Sequence, residues 1–561
     1  MTFVITQSCC GDAGCVAVCP VNCIHPTPGE AGFATAEMLY IDPASCIDCG
    51  LCVLECPVGA IASEDRLDAH GARFLRINAD YYTDHDVAQG LSHHRPLPVP
   101  RFGQPLRVAI VGAGPAGLYT AAELLTYEVA RVDVFDRLPT PHGLLRAGVA
   151  PDHPLTKSAD SAFSALTTHP RFRYLLNIEV GTHLSHQELL RRYDAVVYAV
   201  GAPESRRLGI PGEESTLAAT DFAAWYNGHP EYAGLEVDLS GRCAVVIGNG
   251  NVALDVARIL LTDPDRLAAT EIADHALHRL RDSRIEQVEV LGRREIAQAA
   301  FTIGEFLAMG ELPGVEVVLD PAELALDEPT RAAEAAGILD STVATRLRVA
   351  REFAARPVGG GRKRLVFRFL VTPLAVTRAC GVTTLSLARN TVRVTDGQAR
   401  IAVTDDIRTL DAGLVVRAVG SRGRAVPGVP FDSARGGIPN HHGRVLDRPG
   451  GDPLRGVYVT GWAERGARGG IGLNRHCAIE TATALLTDFI RGALAIPRLS
   501  PSDLPELAAR RGAEVIDSAG WQRIDTAEQN AGACAGRPRV KLVDPADLRA
   551  AARPSESETN P

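Results

Sequence analysis

Two cysteine-rich segments near the N-terminus are copies of one motif. When the chain is shifted by 37 residues, CVAVCPVNCI (15–24) falls on CVLECPVGAI (52–61). The shared pattern is C-x2-C-x2-C-x3-C-P, except that Asp12 stands in the first copy where Cys49 stands in the second. Nine of the 13 cysteines lie in the first 56 residues. Dense cysteine indicates disulfides in a secreted chain and metal binding in a cytosolic one.

The repeat resembles the pattern of two-cluster bacterial ferredoxins, in which the fourth cysteine of each run binds the cluster of the other run. This crossed rule gives one complete set of four thiolates, which predicts a 4Fe–4S cluster on Cys19, Cys46, Cys49 and Cys52. It gives only three thiolates to the other site, which consists of Cys9, Cys15 and Cys56.

The three-thiolate site is predicted to hold a 3Fe–4S cluster, because one of the four positions lacks a soft thiolate ligand. Asp12 occupies that position, and ligation by Asp12 or Cys10 would give a second 4Fe–4S cluster instead. Cys10 also competes with Cys9, and the spacing leaves both open. Cys23 falls on Ala60 in the repeat and is expected to pack rather than bind iron.

A zinc site or a disulfide-stapled domain is the alternative to iron–sulfur clusters. Neither requires a crossed repeat with proline after each fourth cysteine. Residues 1–63 resemble the seven-iron bacterial ferredoxins, although the first run is shorter than theirs and contains Asp12. Residues 1–65 contain eight acidic residues and no lysine or arginine, in a chain of net charge −9. This acidic head suits a basic docking surface.

A dinucleotide-binding fingerprint opens the body of the chain. In RVAIVGAGPAGLYTAAELL (107–125) an apolar strand leads through a glycine-rich turn into a helix. Such a turn lets a pyrophosphate approach the backbone at the helix N-terminus. The residues predicted to bind there are Gly112, Gly114, Pro115, Ala116 and Gly117. Asp136 ends the next strand, 19 residues after Gly117, and suits the hydroxyls of a ribose.

A second fingerprint occurs at CAVVIGNGNVALDVARIL (243–260). The residues predicted to bind the second dinucleotide are Gly248, Gly250, Asn251 and Val252. Arg293 and Arg294 follow the strand VEVLG, where an NAD site has an acidic residue. Two guanidinium groups at this position match a 2′-phosphate and therefore favour NADPH.

Two dinucleotide-binding folds in series, the first with an acid and the second with arginines, indicate a flavoprotein that binds FAD and then NADPH. LDAGLVVRAVG (410–420) and GVYVTGWAERGARGGIG (456–472) are expected to complete the FAD-binding domain. The predicted fold class is an α+β ferredoxin-like iron–sulfur domain followed by an α/β flavoprotein with two Rossmann-like domains. The predicted boundaries are 1–65 for the ferredoxin, 66–104 for a linker, 105–205 and 413–495 for the FAD-binding domain, 206–412 for the NADP-binding domain and 496–561 for a C-terminal extension.

From about 105 to 495 the chain resembles the adrenodoxin-reductase-like ferredoxin–NADP reductases. The resemblance rests on VGAGPAG, PTPHGLLRAGVAPDHP, IGNGNVALDVARIL, RRE followed by AAFTIGEF, and GWAERGARGGIG. It implies that the adenosine end of NADPH is held by Arg293, Arg294 and Glu305. It also implies that FAD is contacted by Leu144, Gly461, Trp462, Gly469, Gly470 and Ile471, with Asp152 and His153 near its reacting face.

The resemblance implies an FAD-dependent NADPH:ferredoxin oxidoreductase. FAD accepts a hydride and releases single electrons, so it suits a link between NADPH and iron–sulfur clusters. Those electrons are expected to reach the fused ferredoxin, or a separate ferredoxin or other one-electron acceptor. Asp152 and His153 are the candidate catalytic residues, and His153 either tunes the site or is a structural hydrogen-bonding residue.

Two alternative functions are a subunit like the small subunit of glutamate synthase and a redox-sensing iron–sulfur flavoprotein. A disulfide reductase is disfavoured because the body contains no C-x2-C pair. The near-neutral body, without a DNA-binding motif, predicts no nucleic-acid partner. No membrane partner is expected because no apolar run could span a bilayer, and MTFVITQSCC lacks a basic signal-peptide start, which predicts a cytoplasmic protein. A monomer is expected.

Overall fold

The N-terminal head is built from short strands and helices. The computed structural model describes residues 2–85, 87, 97–99, 104–357, 359, 363–379, 382–395 and 398–554. The elements of the head are β1 (Phe3–Ile5), α1 (Gly14–Val18), β2 (Ile24–His25), β3 (Tyr40–Ile41), α2 (Leu51–Glu55), β4 (Ile61–Ser63) and α3 (Arg73–Asp84). β1 pairs with β4 and β2 pairs with β3, both antiparallel.

The sequence repeat is also a repeat of backbone conformation. Left-handed φ angles occur at three pairs of positions 37 residues apart: Gly11 and Asp48, Ala13 and Gly50, and Asn22 and Gly59. α1 and α2 are related by the same shift. The two copies of the motif therefore fold alike, as expected for segments that each wrap around one cluster.

The head extends beyond its predicted end at residue 65. Residues 66–104 were expected to be a linker, but α3 buries Phe74 and Ile77 against the head. Asn78 Oδ1 accepts N–H groups from β1 and β3, at 3.2 Å from Ile5 and 2.9 Å from Ile41. An apolar face and a satisfied buried amide make α3 part of the head. Residues 86, 88–96 and 100–103 of the predicted linker lie outside the described residues.

The body contains the remaining elements. Its first part comprises β5 (Leu106–Val111), α4 (Pro115–Leu125), β6 (Ala130–Asp136), α5 (Leu144–Ala147), α6 (Pro154–Lys157), α7 (Ser164–Thr167), β7 (Phe172–Leu176), α8 (His186–Leu190), β8 (Ala195–Tyr198) and β9 (Glu204–Ser205). Its middle part begins with β10 (Leu217–Ala218), α9 (Ala219–Tyr226), β11 (Cys243–Ile247), α10 (Asn251–Leu261), α11 (Pro264–Leu267), α12 (Asp274–Arg281) and β12 (Gln287–Leu291).

The middle part continues with α13 (Ile303–Met309), β13 (Val315–Leu319), α14 (Glu328–Ala335), α15 (Ser341–Ala354), β14 (Lys363–Arg368), β15 (Val371–Ala379), β16 (Val382–Thr395), β17 (Gln398–Ala412) and β18 (Leu414–Arg417). The last part comprises β19 (Ser421–Arg422), β20 (Asn440–His441), β21 (Arg444–Leu446), β22 (Pro453–Val459), α16 (Trp462–Arg465), α17 (Leu473–Ile490), α18 (Leu504–Arg510), α19 (Ser518–Cys534) and α20 (Pro545–Ala552).

Two large sheets divide the body into two domains. The first body domain has a seven-stranded sheet in the order β20-β21-β22-β8-β5-β6-β7, so it combines strands from both ends of the body. The second body domain has a six-stranded parallel sheet in the order β10-β18-β11-β12-β14-β13. β15, β16 and β17 form a separate antiparallel sheet. Helices connect the parallel strands, as in doubly wound nucleotide-binding folds.

The strand β18 is in a different domain from the one predicted. The segment 410–420 was expected to complete the FAD-binding domain, but β18 pairs in parallel with β11, with Val415 opposite Val245. A continuous apolar strand fits the interior of either parallel sheet, so its composition does not identify the sheet. The chain passes between the two body domains at β9 and at β19, and these two strands pair with each other, with Ser205 opposite Ser421.

The C-terminal extension packs on the first body domain. Ile516 bridges to Leu176 at the edge strand β7, and Arg192 pairs with Asp503 at 2.6 Å. Trp521 is buried in the same core as β5 and β6. In the described part of the chain, no helix combines the length and the apolar character needed to cross a bilayer.

Candidate functional site

The first glycine fingerprint forms a tight turn between β5 and α4. Gly112 has φ +113°, and a methyl group there would lie 2.3 Å from the carbonyl oxygen of Ala199. A methyl group at Gly117 would lie 2.0 Å from the carbonyl oxygen of Gly112. Both positions therefore require glycine, and Pro115 begins α4 directly after the turn. The N-terminus of α4 points its backbone N–H groups at the mouth of this turn, as anion-binding helices do.

Asp136 lies beside this turn, at the end of β6. Its Oδ2 accepts the N–H of Ala113 at 2.7 Å, and its Oδ1 accepts the N–H of Leu138 at 2.9 Å. Burial raises the pKa of this carboxyl, against the lowering effect of the two hydrogen bonds. The carboxylate holds the glycine turn in shape and keeps a lone pair on each oxygen for another donor.

The segment after β22 meets the same turn. A methyl group at Gly461 would lie 2.5 Å from Cβ of Ala116. Gly143, which precedes Leu144, comes similarly close, because a methyl group there would lie 2.9 Å from Cα of Gly114. Three segments distant in sequence thus converge at the start of α4.

Two buried polar atoms lie in this converging segment without a hydrogen-bond partner in the described part of the chain. They are Nε1 of Trp462 and Oε2 of Glu464. Burial, together with the charge of Glu480, raises the pKa of Glu464 to about 7. Buried polar atoms are normally paired, so these two fit contact with a polar ligand.

The second fingerprint repeats this geometry at β11 and α10. Gly248 has φ +118°, and a methyl group there would lie 2.2 Å from the carbonyl oxygen of Ala418. Gly250 precedes the first residue of α10, Asn251, whose Oδ1 accepts the N–H of Thr302 at 2.8 Å. Val252 in the first turn is exposed. This turn is likewise suited to a pyrophosphate.

Arg293 and Arg294 follow β12 and are both exposed. Among the described residues neither guanidinium has a hydrogen-bond or ion-pair partner, although their backbone carbonyls accept bonds from Asn390 and Leu370. The backbone is therefore fixed while both cationic groups are available to an anion. This matches the predicted position of a 2′-phosphate beside the second fingerprint.

Glu305 was grouped with the arginine pair, but its contacts lie elsewhere. Its Oε2 lies 3.2 Å from Nη1 of Arg258 and 3.7 Å from Nε2 of His153. Its Oε1 accepts the side-chain amide of Gln7 in the head at 3.2 Å. Glu305, in the first turn of α13, therefore lies where the head and both body domains meet.

Arg258 is the centre of this junction and was not singled out from the sequence. Its guanidinium donates to Asp152 at 2.7 Å and to Asp255 at 2.6 Å, and it is buried. It ties the first body domain to the second, since Asp152 precedes α6 whereas Arg258 is on α10. The sequence offers one signal for Arg258. The helical period places this charged residue on the same face of α10 as the apolar Leu254 and Leu261.

His153 is the titratable member of the cluster. Its Nε2 lies 2.5 Å from Nη2 of Arg258 and 3.3 Å from Oδ1 of Asp255. Nε2 accepts from the guanidinium only when it carries no proton, and it donates to the carboxylate only when it does. Burial disfavours the imidazolium, but the hydrogen bond to Asp255 and the nearby carboxylates outweigh it and raise the pKa of His153.

The four cysteines of the complete set come together as the sequence predicted. One cavity of the head is lined by both runs of the motif through Cys19, Cys46, Cys49 and Cys52. We call this the outer site. Cys23, expected only to pack, lines the same cavity, with its Sγ 3.5 Å from that of Cys19. The backbone N–H of Cys23 donates to Cys19 Sγ at 3.4 Å, a bond typical of cluster ligands.

The other three predicted ligands, Cys9, Cys15 and Cys56, belong to what we call the inner site. Cys9 Sγ accepts the N–H of Leu39 at 3.5 Å, and Cys56 Sγ accepts the N–H of Ala60 at 3.2 Å. Burial raises the pKa of the Cys9 thiol to about 11. Iron would have to displace that proton, as metals do at thiolate sites.

Asp12 binds the body. Its Oδ2 accepts Nη1–H of Arg475, on the first turn of α17, at 2.8 Å. The carbonyl oxygen of Cys10 accepts the N–H of Gly472 at 3.0 Å. A methyl group at Gly472 would lie 2.4 Å from the backbone nitrogen of Asp12. The segment that starts the inner site is thus in backbone contact with the predicted flavin-binding turn.

The head also binds the second body domain. Glu37 pairs with the buried Arg346 at 2.7 Å and accepts the N–H of Ile303 at 2.7 Å. Arg73 pairs with Glu352 at 2.7 Å. The head is therefore anchored on both body domains rather than tethered by chain alone.

Comparison with known families matches both parts of the chain. The family described as "Pyridine nucleotide-disulphide oxidoreductase" matches residues 106–296, and the one described as "4Fe-4S binding domain" matches residues 39–62. The "Probable ferredoxin/ferredoxin--NADP reductase" of Mycobacterium tuberculosis is 46% identical over 578 residues, covering 100% of this chain and 96% of that protein.

Shorter relatives match the body. The "NADPH-ferredoxin reductase FprA" of Mycobacterium tuberculosis is 45% identical over 460 residues, covering 79% of this chain and 98% of that protein. The solved structure of "Mycobacterium tuberculosis FprA in complex with NADPH" superposes with a TM-score of 0.74 at 43% identity, covering 80% of this chain and 100% of that one. The "NADPH:adrenodoxin oxidoreductase, mitochondrial" of Arabidopsis thaliana is 38% identical over 465 residues, covering 80% of this chain and 96% of that protein.

Proposed function

This chain belongs to the ferredoxin/ferredoxin–NADP reductase family, and on that premise we propose that its head is the first electron acceptor of its own body. The chain is an NADPH:ferredoxin oxidoreductase that uses FAD. FAD, when bound, takes a hydride from NADPH and passes on single electrons, which iron–sulfur clusters accept one at a time. The observation that carries the proposal is the contact of residues 10–12 with Gly472 and Arg475.

The first body domain would hold FAD. Its pyrophosphate would face the N-terminus of α4, and Asp136 would meet the ribose. The residues assigned to it are Gly112, Gly114, Pro115, Ala116, Gly117, Asp136, Leu144, Gly461, Trp462, Gly469, Gly470 and Ile471. The approach of Gly461 to Ala116 and the unpartnered indole N–H of Trp462 support this assignment.

The second body domain would hold NADPH. Its pyrophosphate would face the turn formed by Gly248, Gly250, Asn251 and Val252, with Arg293 and Arg294 on the 2′-phosphate. Glu305 is assigned instead to the junction around Arg258, where its contacts lie. Arg258 binds Asp152 and His153 at this junction, which would hold the two dinucleotide sites in a fixed relative position. The imidazole of His153 is a group at this junction that can hold a proton.

We assign a 4Fe–4S cluster to the outer site and a 3Fe–4S cluster to the inner site. The outer site supplies four thiols from both runs of the motif. At the inner site the carboxylate of Asp12 is engaged by Arg475, which leaves three thiols as soft ligands. Arg475 would have to be displaced before Asp12 could bind a fourth iron.

The proposal is tested by EPR on anaerobically purified protein before and after addition of NADPH, with flavin absorbance recorded on the same samples. An oxidised 3Fe–4S signal is expected to disappear as the flavin is reduced. Dithionite reduction of a parallel sample measures the total reducible iron. Reduction of the flavin by NADPH with both clusters still oxidised would contradict the proposal.

A variant pair sharpens this test. Arg475→Glu places a negative charge beside Asp12 and is expected to slow NADPH-dependent reduction of the clusters at least tenfold, as judged by rapid-freeze EPR. Arg491→Glu changes an exposed arginine at the other end of α17 and should leave the rate unchanged. Equal rates in the two variants would show that the head accepts electrons by another route.

A further inference from the structure

We propose that the outer site opens onto a docking surface for a separate one-electron carrier protein that has an apolar face and a basic rim. This surface, which we call the exit surface, consists of Val21, Ile47, Leu51 and Leu54 with Asp48 and Glu55. The inference rests on the proposed function, since electrons must first reach the head. It adds where they leave and what kind of partner receives them.

The two cluster sites face different surroundings. Cys9, Cys10 and Cys56 pack against the apolar core of the first body domain, which contains the predicted FAD site. Neither Cys19 nor Cys46 packs against the described residues of that core. Cys49 is exposed to solvent. The inner site therefore faces the body, whereas the outer site reaches the surface of the head.

Four large apolar side chains close in sequence to the outer-site cysteines are exposed to solvent. Leu54 is 83% exposed, Ile47 58%, Leu51 44% and Val21 38%. Val21 and Ile47 line the same cavity as the four cysteines. Leu51 and Leu54 lie three residues apart on α2, so they share one face of this helix, whose Cys52 lines the cavity. Isolated exposed leucines are ordinary, but four large exposed apolar side chains, each within two residues of an outer-site cysteine, indicate a patch suited to a partner.

The rim of the exit surface is acidic. Asp48 adjoins Ile47 and Glu55 adjoins Leu54, and both acids are exposed. Residues 1–65 contain no lysine or arginine, so the two copies of the motif offer no basic side chain beside these acids. An apolar centre with a charged rim is the arrangement of a transient protein interface, in which the charges mainly steer the encounter.

The acidic charge of the exit surface distinguishes between its possible binding partners. A second copy of this chain would bring the same acidic rim to the surface, and like charges facing each other disfavour that pairing. The chain's own body is already bound through Asp12 and Glu37 on other parts of the head. A carrier with basic side chains around an apolar redox face has the complementary chemistry.

The test uses mitochondrial-type cytochrome c, a basic one-electron haem protein, as the probe and the holoprotein as the binder. The double variant Leu54→Ser/Glu55→Lys removes the most exposed apolar side chain of the exit surface and reverses one charge of its rim. The matched control is Ile338→Ser/Asp282→Lys, because Ile338 is 75% exposed and the Asp282 side chain 72% exposed, both outside the head. Binding is measured by calorimetry at low ionic strength, and NADPH-dependent cytochrome c reduction is measured alongside.

The exit-surface variant is expected to weaken cytochrome c binding and raise its KM about tenfold, which corresponds to about 1.4 kcal/mol. The control should match the wild type, and added salt should weaken wild-type binding more than binding by the exit-surface variant. The inference would be overturned if the exit-surface variant bound cytochrome c as tightly as the wild type does. It would also be overturned if the wild-type protein showed no salt-dependent binding. Reduction of the clusters by NADPH, followed by EPR in the same samples, reports separately on the proposed function and should not differ between variants.

Discussion

The carboxylate of Asp12 lies 2.8 Å from Nη1 of Arg475, although 463 positions separate the two residues in the chain. In the repeat, Asp12 stands where the second copy has Cys49, a predicted cluster ligand. The first copy has thus exchanged a thiol for a carboxylate at the position that contacts the body. Asp12 therefore accounts both for the departure from the cluster motif and for one attachment of the head to the body.

This relationship predicts the effect of Asp12→Cys. A thiol at this position would complete a four-thiolate set at the inner site and remove the ion pair with Arg475. The oxidised 3Fe–4S EPR signal should be lost, a second reduced 4Fe–4S signal should appear, and iron content should rise by about one atom per chain.

Asp12→Asn is the control for that experiment. It removes the charge without adding a thiol, so the 3Fe–4S signal should persist. A 3Fe–4S signal retained in Asp12→Cys would show that Asp12 lies outside the coordination sphere of the inner site.

The arginine pair predicts nucleotide preference. Arg293→Glu should lower the ratio of kcat/KM for NADPH to that for NADH by roughly 10- to 100-fold, because a charge-assisted hydrogen bond to phosphate contributes about 1.5–3 kcal/mol. Steady-state kinetics with ferricyanide as acceptor measures this ratio. Arg242→Glu changes another exposed arginine of the same domain and should leave it unaltered. An unchanged ratio in Arg293→Glu would remove this residue from the 2′-phosphate site.

The cysteine and glycine motifs could be interpreted from the sequence because their spacing alone fixes local geometry. The crossed grouping of Cys19 with Cys46 and Cys52 followed from the repeat, and the structure lines one cavity with them. Gly112 and Gly248 could be placed because each adopts a left-handed φ where a Cβ would strike the next strand. These constraints act within a few residues or between adjacent parallel strands.

Contacts that depend on how domains pack could not be predicted in this way. The apolar run of β18 suits the interior of either sheet, and only its pairing with β11 identifies the domain. Glu305 follows the arginine pair closely in sequence, yet its partner Arg258 lies at the domain junction. The pairing of Asp12 with Arg475 depends on how the head packs on the body, for which the sequence carries no local signal.

A buried ion pair predicts that the C-terminal extension stabilises the first body domain. Glu528 is fully buried on α19 and pairs with Arg146 at 2.6 Å and with Arg539 at 3.2 Å. The two guanidinium groups outweigh the effect of burial and hold the pKa of Glu528 below its usual value. Glu528→Gln should cost about 3–5 kcal/mol in denaturant unfolding, because it leaves the buried Arg146 without its paired carboxylate.

Asp525→Asn is the matched control for Glu528→Gln. Asp525 also pairs with Arg539, at 2.7 Å, but it is partly exposed, so its loss should cost clearly less. Equal and small losses in both variants would mean that the extension contributes little to the stability of this domain.

The raised pKa of Glu464 predicts a pH dependence of stability. Burial and the charge of Glu480 raise its pKa to about 7. A folded-state pKa above the unfolded value means that the stabilising contribution is complete below about pH 4.3 and is lost as the pH rises through 7. Between pH 5.5 and 8.5 the wild type should therefore lose about 2 kcal/mol more unfolding free energy than Glu464→Gln, whose amide does not titrate. Urea unfolding at both pH values measures the difference, and Glu480→Gln should reduce the loss. Identical pH dependence in wild type and Glu464→Gln would show that this carboxyl ionises normally.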